Sequence, residues 1–209
     1  MDLYGYFRSS AAYRVRIALN LKQVDYRQIP VNLVQGEHRA DSFKAVNAQG
    51  LVPALALNDG IILTQSTAIL EWLEERFPMP SLYPADPIAR AQTRALCNIV
   101  ACDIHPINNL RVLQYLQQTL KIDDVQKMDW YRHWVAEGFT AIEPLLSNGP
   151  YAMGDNISMA DVYILPQVFN ALRFDQDMTP FPKIMACYNA CHLLEAFVEA
   201  APANQPDAR

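Results

Sequence analysis

One group of residues that could bind or activate a ligand lies in the segment Tyr6–Leu19, whose sequence is YFRSSAAYRVRIAL. Arg8, Ser9 and Ser10 stand between a short aromatic strand pattern and a run of apolar residues with helical spacing. The first N–H groups of a helix are unpaired and its N-terminus is partially positive, so a strand that turns into a helix forms an anion site. Two hydroxyls and a guanidinium there suit a thiolate or a carboxylate. The simpler alternative is that Ser9 or Ser10 serves only as an N-cap.

A second candidate anion site lies at Gln65 and Ser66. A strand pattern precedes this pair, and the amphipathic helix pattern of residues 67–77 follows it. The Ser66 hydroxyl and the first helical N–H groups are donors that suit a carboxylate. Here too the alternative is that Ser66 acts as a plain N-cap.

Val52 and Pro53 stand at the entrance of a predicted strand, in the sequence LVPA. Proline tolerates a cis peptide bond, and a cis bond here would turn the backbone of Val52 outward. The N–H and C=O of Val52 would then pair with an extended peptide ligand, as an added strand does. The pattern is weak by itself, because most X–Pro bonds are trans.

Three polar residues, His105, Asn108 and Asn109, share one face of a predicted helix that is otherwise rich in Ile, Val and Leu. Unpaired polar groups are costly to bury, so such a face indicates either ligand binding or an internal hydrogen-bond network. For a network, the available partners are Asp103 and the backbone near Pro106. The residues alone favour neither role.

The N-terminal part of the chain is predicted to be a compact α/β layer. Its patterns run strand, helix, strand, short helix, strand, strand, helix, which is a βαβ unit followed by a ββα unit. Both units bury their apolar faces only if they share one mixed sheet. Pro30 predicts an edge position for the second strand. After the first strand and helix, the predicted elements are strands at residues 26–33, 54–57 and 61–64 and helices at residues 41–45 and 67–77.

The rest of the chain predicts helices only. We expect residues 1–80 to form the α/β domain, the proline-rich residues 81–87 a linker, and residues 88–209 an all-helical domain. Ser158 and Asp161 form a Ser-x-x-Asp capping box ahead of an apolar run. The predicted helices lie at residues 87–120, with a bend near Pro106, and at residues 123–146, 158–172 and 182–200, the last as one or two helices.

The composition of the 209 residues limits the classes of function. The net charge is −5, so no basic face for nucleic acid is expected. The sequence begins without the basic region and apolar run of a signal peptide, and charged residues and prolines interrupt every candidate membrane span. We therefore expect a cytoplasmic protein without membrane contact. The four cysteines form no CxxC pair and are expected to be buried, inert thiols rather than a disulfide or a metal site: Cys97, Cys102, Cys187 and Cys191.

The order and spacing of Ser9, the Val52–Pro53 loop and the Gln65–Ser66 pair resemble the glutathione transferase family. The segments FRSSAAYRVRIAL, DIHPINNL, ADVYILPQV, ALRFDQDMTPFP and QPD are similar to its zeta class. The resemblance covers nearly the whole chain. It implies the glutathione transferase fold, with a thioredoxin-like α/β N-terminal domain and an all-α C-terminal domain. It also implies glutathione as the cofactor and a homodimer.

The zeta-class resemblance further implies an activity, the glutathione-dependent cis–trans isomerisation of maleylacetoacetate to fumarylacetoacetate in tyrosine and phenylalanine catabolism. Addition of a thiolate to the conjugated carbon makes the cis double bond single, and rotation and elimination give the trans product. Maleylpyruvate is the alternative substrate for the same chemistry. A general glutathione transferase or peroxidase is a second alternative, which lacks paired cations for a dicarboxylate. A non-enzymatic interaction protein is the least favoured.

The resemblance also assigns roles to the candidate residues. Ser9 occupies the family position that stabilises the glutathione thiolate, with Ser10 as the second candidate and Arg8 beside the thiol. Arg173 falls where the family has an arginine that faces the acceptor site, and Arg8 and Arg111 are further candidates for the substrate carboxylates. The implied glutathione-binding residues are Ser9, Gln49, Val52, Pro53, Gln65, Ser66, His105 and Asn108, the last two in the same subunit or across a dimer interface.

Two positions depart from the zeta pattern. Ala11 stands where the signature usually has Cys, so Ser9 and the helix terminus must activate glutathione without a neighbouring thiol. Because the branch without this Cys includes maleylpyruvate isomerases, Ala11 leaves the choice of substrate open. Gly50 stands where many relatives have Lys, which predicts a looser contact to the cofactor.

Overall fold

The chain divides into two units in this computed structural model, which describes residues 1–208. The first unit combines Met1–Ser81 with the segment that begins at His192, and the second unit is Leu82–Cys191. Within residues 1–208 the strands are β1 (Asp2–Gly5), β2 (Arg27–Pro30), β3 (Ala54–Ala56) and β4 (Ile62–Thr64). The α-helices of the same residues are α1 (Ser10–Leu21), α2 (Asp41–Lys44), α3 (Ser66–Arg76), α4 (Pro87–Asn98), α5 (His105–Asn108), α6 (Leu110–Gln118), α7 (Asp124–Ile142), α8 (Met159–Arg173), α9 (Pro182–Cys191) and α10 (Glu195–Ala200).

The strands of the first unit form one mixed sheet in the order β2-β1-β3-β4. β1 pairs parallel with β2 and antiparallel with β3, and β3 pairs antiparallel with β4. The parallel pair requires a crossover, which α1 supplies, whereas a tight turn through Gly60 joins β3 to β4. Pro30 is the last residue of β2, and β2 is an edge strand, which tolerates a residue without a backbone N–H. The predicted mixed α/β layer is therefore confirmed.

Helix α1 is the centre of the first unit. Its residues from Ser10 to Leu19 are all buried, and it packs against α3 and α10. The buried residues include two arginines, Arg14 at 1% exposure and Arg16 at 0%. A buried guanidinium must be hydrogen-bonded, so the surroundings of α1 have to provide acceptors.

The C-terminal tail belongs to the first unit, whereas the sequence assigned it, within residues 88–209, to the helical domain. The reason for the difference is that α10 offers backbone carbonyls to side chains of α1. These bonds run from Tyr13 Oη to the carbonyl of Phe197 (3.3 Å), from Arg16 Nε to that of Ala200 (2.9 Å) and from Asn20 Nδ2 to that of Ala196 (3.0 Å).

The second unit begins with a helical run that is less regular than predicted. The single helix expected over residues 87–120 is wrong: α4 continues into a π-helical segment, Ile99–Ile104, then into α5 and α6. The break before α6 lies at Asn109, which has an extended backbone and caps α6 by accepting from the Val112 N–H at 3.2 Å. Asparagine competes with the helix in this way because its side chain hydrogen-bonds the nearby backbone. Asn109 consequently does not continue the helical face of His105 and Asn108.

Helix α8 packs against α4 and α9, and α7 packs against the π-helical segment. Gly138 of α7 contacts the π-helical segment so closely that an added Cβ would lie 2.2 Å from Cγ1 of Ile104. Helix α8 is buried around nearly its whole circumference and begins with the predicted capping box of Ser158 and Asp161. Leu82, inside the predicted linker, is buried, and its carbonyl accepts from the first residue of α8 at 2.7 Å. Part of that linker is therefore packed structure.

Three of the four cysteines are buried, as predicted, and one is not. Burial raises the pKa of Cys187 to about 12, and it also raises the pKa of Cys191. Cys102 is exposed, which corrects the expectation, because it lies on an outward-facing part of the π-helical segment. No helix within residues 1–208 has the length and apolar character needed to cross a membrane.

Candidate functional site

Ser9 is the N-cap of α1, and its hydroxyl has a second function available. Its Oγ accepts from the Ala12 N–H at 3.2 Å, and its backbone is extended, as an N-cap requires. A hydroxyl that accepts through a lone pair keeps its own proton for donation. Ser9 is half-buried, whereas Ser10 is only 3% exposed and Ala11 only 7%. The turn from β1 to α1 therefore offers the hydroxyl of Ser9 to the surface rather than that of Ser10.

Arg8 lies next to Ser9 on the exposed side of the same turn. Its guanidinium carbon is 4.8 Å from the ring centroid of Phe7, within the range of a cation–π contact. The turn closes with a hydrogen bond from the Ser9 N–H to the carbonyl of Tyr6 at 2.9 Å. Phe7 is held on both sides of its backbone, by Asp207 and by Arg16.

Gln49 and Gln65, both candidates from the sequence, contact each other in the structure. Gln65 Nε2 donates to Gln49 Oε1 at 2.7 Å, and both side chains are exposed. Gln65 has φ +69°, a conformation that non-glycine residues rarely adopt and that concentrates at functional sites. The peptide bond between Val52 and Pro53 is cis, the possibility raised from the sequence.

Ser66 begins α3, whose N-terminus has no side-chain cap. The Ser66 side chain is 7% exposed and accepts from Arg14 Nη1 at 3.4 Å. Arg14 was not a candidate from the sequence, since an arginine inside an apolar helix pattern carries no signal of its contact 52 residues away. The buried cation adds positive charge beside a helix N-terminus that already favours anions.

Gly50 has a conformational reason to be glycine. Its φ is +62°, and an added Cβ would lie 2.8 Å from the backbone oxygen of His38. Both features penalise any side chain at this position. The backbone of this chain therefore disfavours a lysine at position 50, the residue that many relatives are expected to have there.

In the second unit, His105 and Asn108 lie on α5, directly after the π-helical segment. Such segments are common at functional sites. Asn108 is 7% exposed, and its Nδ2 donates to the carbonyl of Tyr131 at 3.4 Å. Its Oδ1 is buried and has no hydrogen-bond partner within residues 1–208. Native proteins rarely leave such an oxygen unpaired, so it is available for a donor from a ligand.

Arg173, the last residue of α8, is exposed, and its guanidinium carbon lies 4.6 Å from the ring centroid of Phe174. The ring of Phe174 packs against Tyr131 with the centroids 4.3 Å apart, and the carbonyl of Phe174 accepts from Arg132 Nε at 2.9 Å. Burial raises the pKa of the Tyr131 phenol, and the nearby positive charge of Arg173 opposes part of that rise. Arg111 is also exposed, at the start of α6.

The candidate residues thus form local groups within each unit. The first unit groups Arg8 with Ser9, Gln49 with Gln65, and Ser66 with Arg14. No group of three or more His, Cys, Asp or Glu side chains within the described part of the chain is placed to hold a metal ion. The donors of the first unit are hydroxyls, amides and helix N-termini, which suit a ligand with a thiolate and carboxylates.

Comparison with known proteins agrees with this donor set. Residues 8–76 match the family profile described as glutathione S-transferase, N-terminal domain. A maleylpyruvate isomerase from Ralstonia sp. is 49% identical, with 99% of each chain covered. A maleylacetoacetate isomerase from Pseudomonas aeruginosa PAO1 is 46% identical, with 99% of this chain and 98% of the relative covered.

Solved structures give the same result. The holo structure of a maleylpyruvate isomerase, described as a bacterial zeta-class glutathione S-transferase, is 49% identical with a TM-score of 0.97, and 100% of both chains is covered. A maleylacetoacetate isomerase from Methylobacterium extorquens AM1, solved with malonate and glutathione bound, is 37% identical with a TM-score of 0.96, again with 100% of both chains covered. The chain belongs to the zeta class of the glutathione transferase family.

Proposed function

We propose that this protein is a glutathione-dependent cis–trans isomerase that converts maleylacetoacetate to fumarylacetoacetate in the breakdown of tyrosine and phenylalanine. The observation that carries the proposal is identity of 46% or more, over almost the full length, to isomerases of maleylacetoacetate and maleylpyruvate. Maleylpyruvate is the second candidate substrate, because the relative named for it is 49% identical.

Glutathione fits the donors of the first unit. Ser66, the uncapped N-terminus of α3 and the buried Arg14 suit the γ-glutamyl carboxylate. Gln65 and Gln49 are exposed amides for the same end of the cofactor, and Val52 supplies backbone groups to its cysteinyl part. The unpaired Oδ1 of Asn108 and the neighbouring His105 support a role in cofactor binding for α5.

When bound, glutathione supplies the thiolate that adds to the conjugated carbon, allows rotation about the former double bond and leaves again. The protein has to favour the thiolate, since a free thiol has a pKa of about 8.5. The Ser9 hydroxyl donates a hydrogen bond to the sulfur, and the α1 N-terminus adds its partial positive charge. Arg8, beside Ser9, stabilises the negative charge that develops on the substrate oxygen.

Arg173 binds a substrate carboxylate, and Arg111 is a further candidate for the second one. Arginine suits this role because its planar guanidinium forms two parallel hydrogen bonds to a carboxylate. The malonate bound to the Methylobacterium relative is also a dicarboxylate. A general transferase for neutral electrophiles would not need such a pair, so the charge of the substrate distinguishes the two functions.

The direct test is a spectrophotometric assay of maleylacetoacetate and maleylpyruvate, each with and without glutathione. We expect turnover of maleylacetoacetate only when glutathione is present. Faster turnover of maleylpyruvate would move the assignment to the second candidate. Turnover of a chlorodinitrobenzene-type electrophile alone would indicate a general transferase, and failure to bind glutathione in calorimetry would remove both enzymatic proposals.

The carboxylate role is tested with Arg173→Met, which keeps much of the side-chain bulk and removes the charge. We expect KM for maleylacetoacetate to rise about tenfold to a hundredfold more than KM for maleylacetone, which has one carboxylate fewer, because a charge-assisted contact is worth roughly 1.5–3 kcal/mol. The control is Arg76→Met, which removes another arginine that lies over its neighbouring phenylalanine, with 5.3 Å from guanidinium to centroid. Equal shifts for both substrates would exclude Arg173 as the ligand of the carboxylate that maleylacetone lacks.

The proposal includes a cytoplasmic homodimer. The cytosol holds the glutathione pool that the reaction needs. Ile61 and Ile62, at the edge strand β4, are 54% and 37% exposed, which provides apolar surface for a second copy of the chain. Sedimentation velocity tests the assembly: a single species of monomer mass at the working concentration of the enzyme would contradict it.

A further inference from the structure

The backbone N–H and C=O of Phe7 are both hydrogen-bonded to charged side chains. Its N–H donates to Asp207 Oδ2 at 2.9 Å, and its carbonyl accepts from Arg16 Nη2 at 3.0 Å. Hydrogen bonds that involve an ionised partner are about twice as strong as neutral ones. Neither charged residue belongs to the candidate site described above. Both peptide groups of a single residue in the turn are thus fixed from outside the turn.

The two charged residues are themselves anchored. The second oxygen of Asp207, Oδ1, accepts from Gln28 Nε2 of β2 at 3.2 Å. Arg16 is fully buried, and its Nε donates to the carbonyl of Ala200 at 2.9 Å. Burial lowers the pKa of Arg16 to about 10, so it stays a cation at neutral pH, and the charge of Asp207 favours that state. The hydrogen bonds of Asp207 and Arg16 therefore connect the turn to β2, α1 and α10.

Phe7 directly precedes Arg8 and Ser9 in the turn, so its backbone sets the direction of both candidate side chains. The turn closes from the Ser9 N–H to the carbonyl of Tyr6, so Phe7 is its first central residue and Arg8 its second. A rotation of the Phe7 peptide would move the ring that lies under the Arg8 guanidinium and would turn the start of α1. A donor aimed at an anion loses much of its value when its direction is not fixed.

We propose that Asp207 is a positioning residue for the thiolate site: through the Phe7 N–H it fixes the turn that aims the Ser9 hydroxyl at the glutathione sulfur. This inference rests on the proposed function, because it needs glutathione at Ser9. It gives the QPD segment of the tail a part in the chemistry, in addition to packing. Asp207 does not touch the reacting atoms and acts only through Phe7.

The test uses Asp207→Ala and Asp207→Asn in the full-length protein, with Asp59→Asn as the matched control. Asp59 also accepts a backbone N–H, from Ile61 at 3.1 Å, but in the exposed turn before β4. The pKa of the thiol of bound glutathione is measured from the ultraviolet absorbance of the thiolate at saturating cofactor. The pH profile of kcat and the thermal midpoint Tm are measured in parallel.

We expect Asp207→Ala to raise the pKa of the bound thiol and to lower kcat at neutral pH about fivefold to twentyfold, in line with the loss of a charge-assisted contact. Activity should recover as the pH rises, because the thiolate then forms without help. Asp207→Asn, which keeps an acceptor oxygen, should show a smaller shift in the same direction. Asp59→Asn should leave the pKa and the pH profile unchanged.

A lowered Tm with an unchanged thiol pKa and an unchanged pH profile in both Asp207 variants would overturn the inference and leave Asp207 as a structural tether of the tail. That result differs from failure of the proposed function. If the unaltered protein binds no glutathione, the proposed function fails first and this inference fails with it. If the unaltered protein binds glutathione and isomerises its substrate, the result for Asp207 decides this inference alone.

Discussion

At the scale of single residues, the two roles that the sequence offered for Ser9 are compatible. The structure uses the oxygen of Ser9 as an N-cap acceptor, which leaves the hydroxyl proton for an anion. The adjacent Ser10 is 3% exposed and forms part of the packed face of α1. The sequence shows two neighbouring serines with the same chemistry, and only burial distinguishes them.

Replacement of Ser9 tests the two roles separately. Ser9→Ala removes both the cap and the donor, whereas Ser9→Gly removes the donor but keeps a fair N-cap, at a cost of only a few tenths of a kcal/mol. We expect both variants to lower kcat/KM at neutral pH about tenfold to a hundredfold, since a donor to an anion is worth roughly 1.5–3 kcal/mol. Only Ser9→Ala should also lower the free energy of unfolding by about 1 kcal/mol.

Steady-state kinetics across pH and urea unfolding give the two readouts. Ser9→Thr, which keeps a hydroxyl and a capping oxygen, is the control and should retain most of the activity. Full activity in Ser9→Gly would show that the hydroxyl contributes no stabilisation of the thiolate. A larger loss in Ser10→Ala than in Ser9→Gly would transfer the role to Ser10.

Gly50 illustrates what the sequence cannot show at this scale. Its departure from the zeta pattern predicted a looser contact to the cofactor. The structure adds a reason for glycine at this position: φ is +62°, and an added Cβ would lie 2.8 Å from the backbone oxygen of His38. The position of a carbonyl from residue 38 is a product of the folded chain and has no signal in the sequence around residue 50.

At the scale of helices and strands, periodicity predicted the elements well and their interruptions poorly. The mixed sheet, the edge position of β2 and the capped helix α8 follow from alternation, Pro30 and the Ser158 capping box, which are all local signals. The π-helical segment and the cap at Asn109 interrupt a run whose apolar pattern continues across them. The apolar face continues through the π-helical segment, so the side-chain pattern gives no sign of the extra backbone residue in that helical turn.

Gly138 explains how α7 accepts the π-helical segment, and its replacement is the test at this scale. Alanine is a better helix former than glycine by about 1 kcal/mol, which favours Gly138→Ala. Overpacking opposes it, since the new Cβ would lie 2.2 Å from Cγ1 of the fully buried Ile104. Overpacking typically costs about 1–3 kcal/mol, so we expect a net destabilisation of about 1–2 kcal/mol.

Urea unfolding measures this change, and a double-mutant cycle with Ile104→Ala identifies its cause. In the background of Ile104→Ala, which removes both Cγ1 and Cδ1, Gly138→Ala should cost less than in the unaltered protein. Additive effects of the two substitutions would show that the contact with Ile104 is not the source. A stabilising Gly138→Ala would show that helix propensity outweighs packing here.

At the scale of the whole molecule, the division into units was the main feature that the sequence did not predict. Residues from His192 onward belong with the α/β layer because α1 has buried donors and α10 has carbonyls to receive them. Every residue except the last carries a peptide carbonyl, so the acceptor side of such contacts has no compositional signal. The buried Arg14 and Arg16 were visible in the sequence, but their partners were not.

Truncation of the tail tests how far the first unit depends on it. A chain that ends at Cys191 leaves Arg16 without its Ala200 acceptor and without Asp207 nearby. Removing one partner of a buried charge commonly costs about 3–5 kcal/mol, a large share of the roughly 5–15 kcal/mol that stabilises a domain. We expect this truncated protein to lose the cooperative unfolding of the first unit and to bind no glutathione.

The control is a chain that ends at Gln205, which keeps α10 and its carbonyls and removes Asp207. It should stay folded, with a Tm only a few degrees lower. Circular dichroism during heating and calorimetry with glutathione provide the measurements. Unchanged glutathione binding by the chain that ends at Cys191 would show that the tail is dispensable for the first unit.

The late position of α10 in the chain also has a consequence for biosynthesis. Arg16 and the carbonyl of Ala200 are 184 residues apart. A ribosome that adds 5–20 residues per second therefore needs roughly 10–40 s to supply the acceptor after it has made the guanidinium. Until then, burial of the Arg16 guanidinium would leave its Nε without this acceptor, which is costly. The whole of Leu82–Cys191 is translated within the same interval, so we expect Met1–Ser81, the segment that is made first, to reach its final packing last.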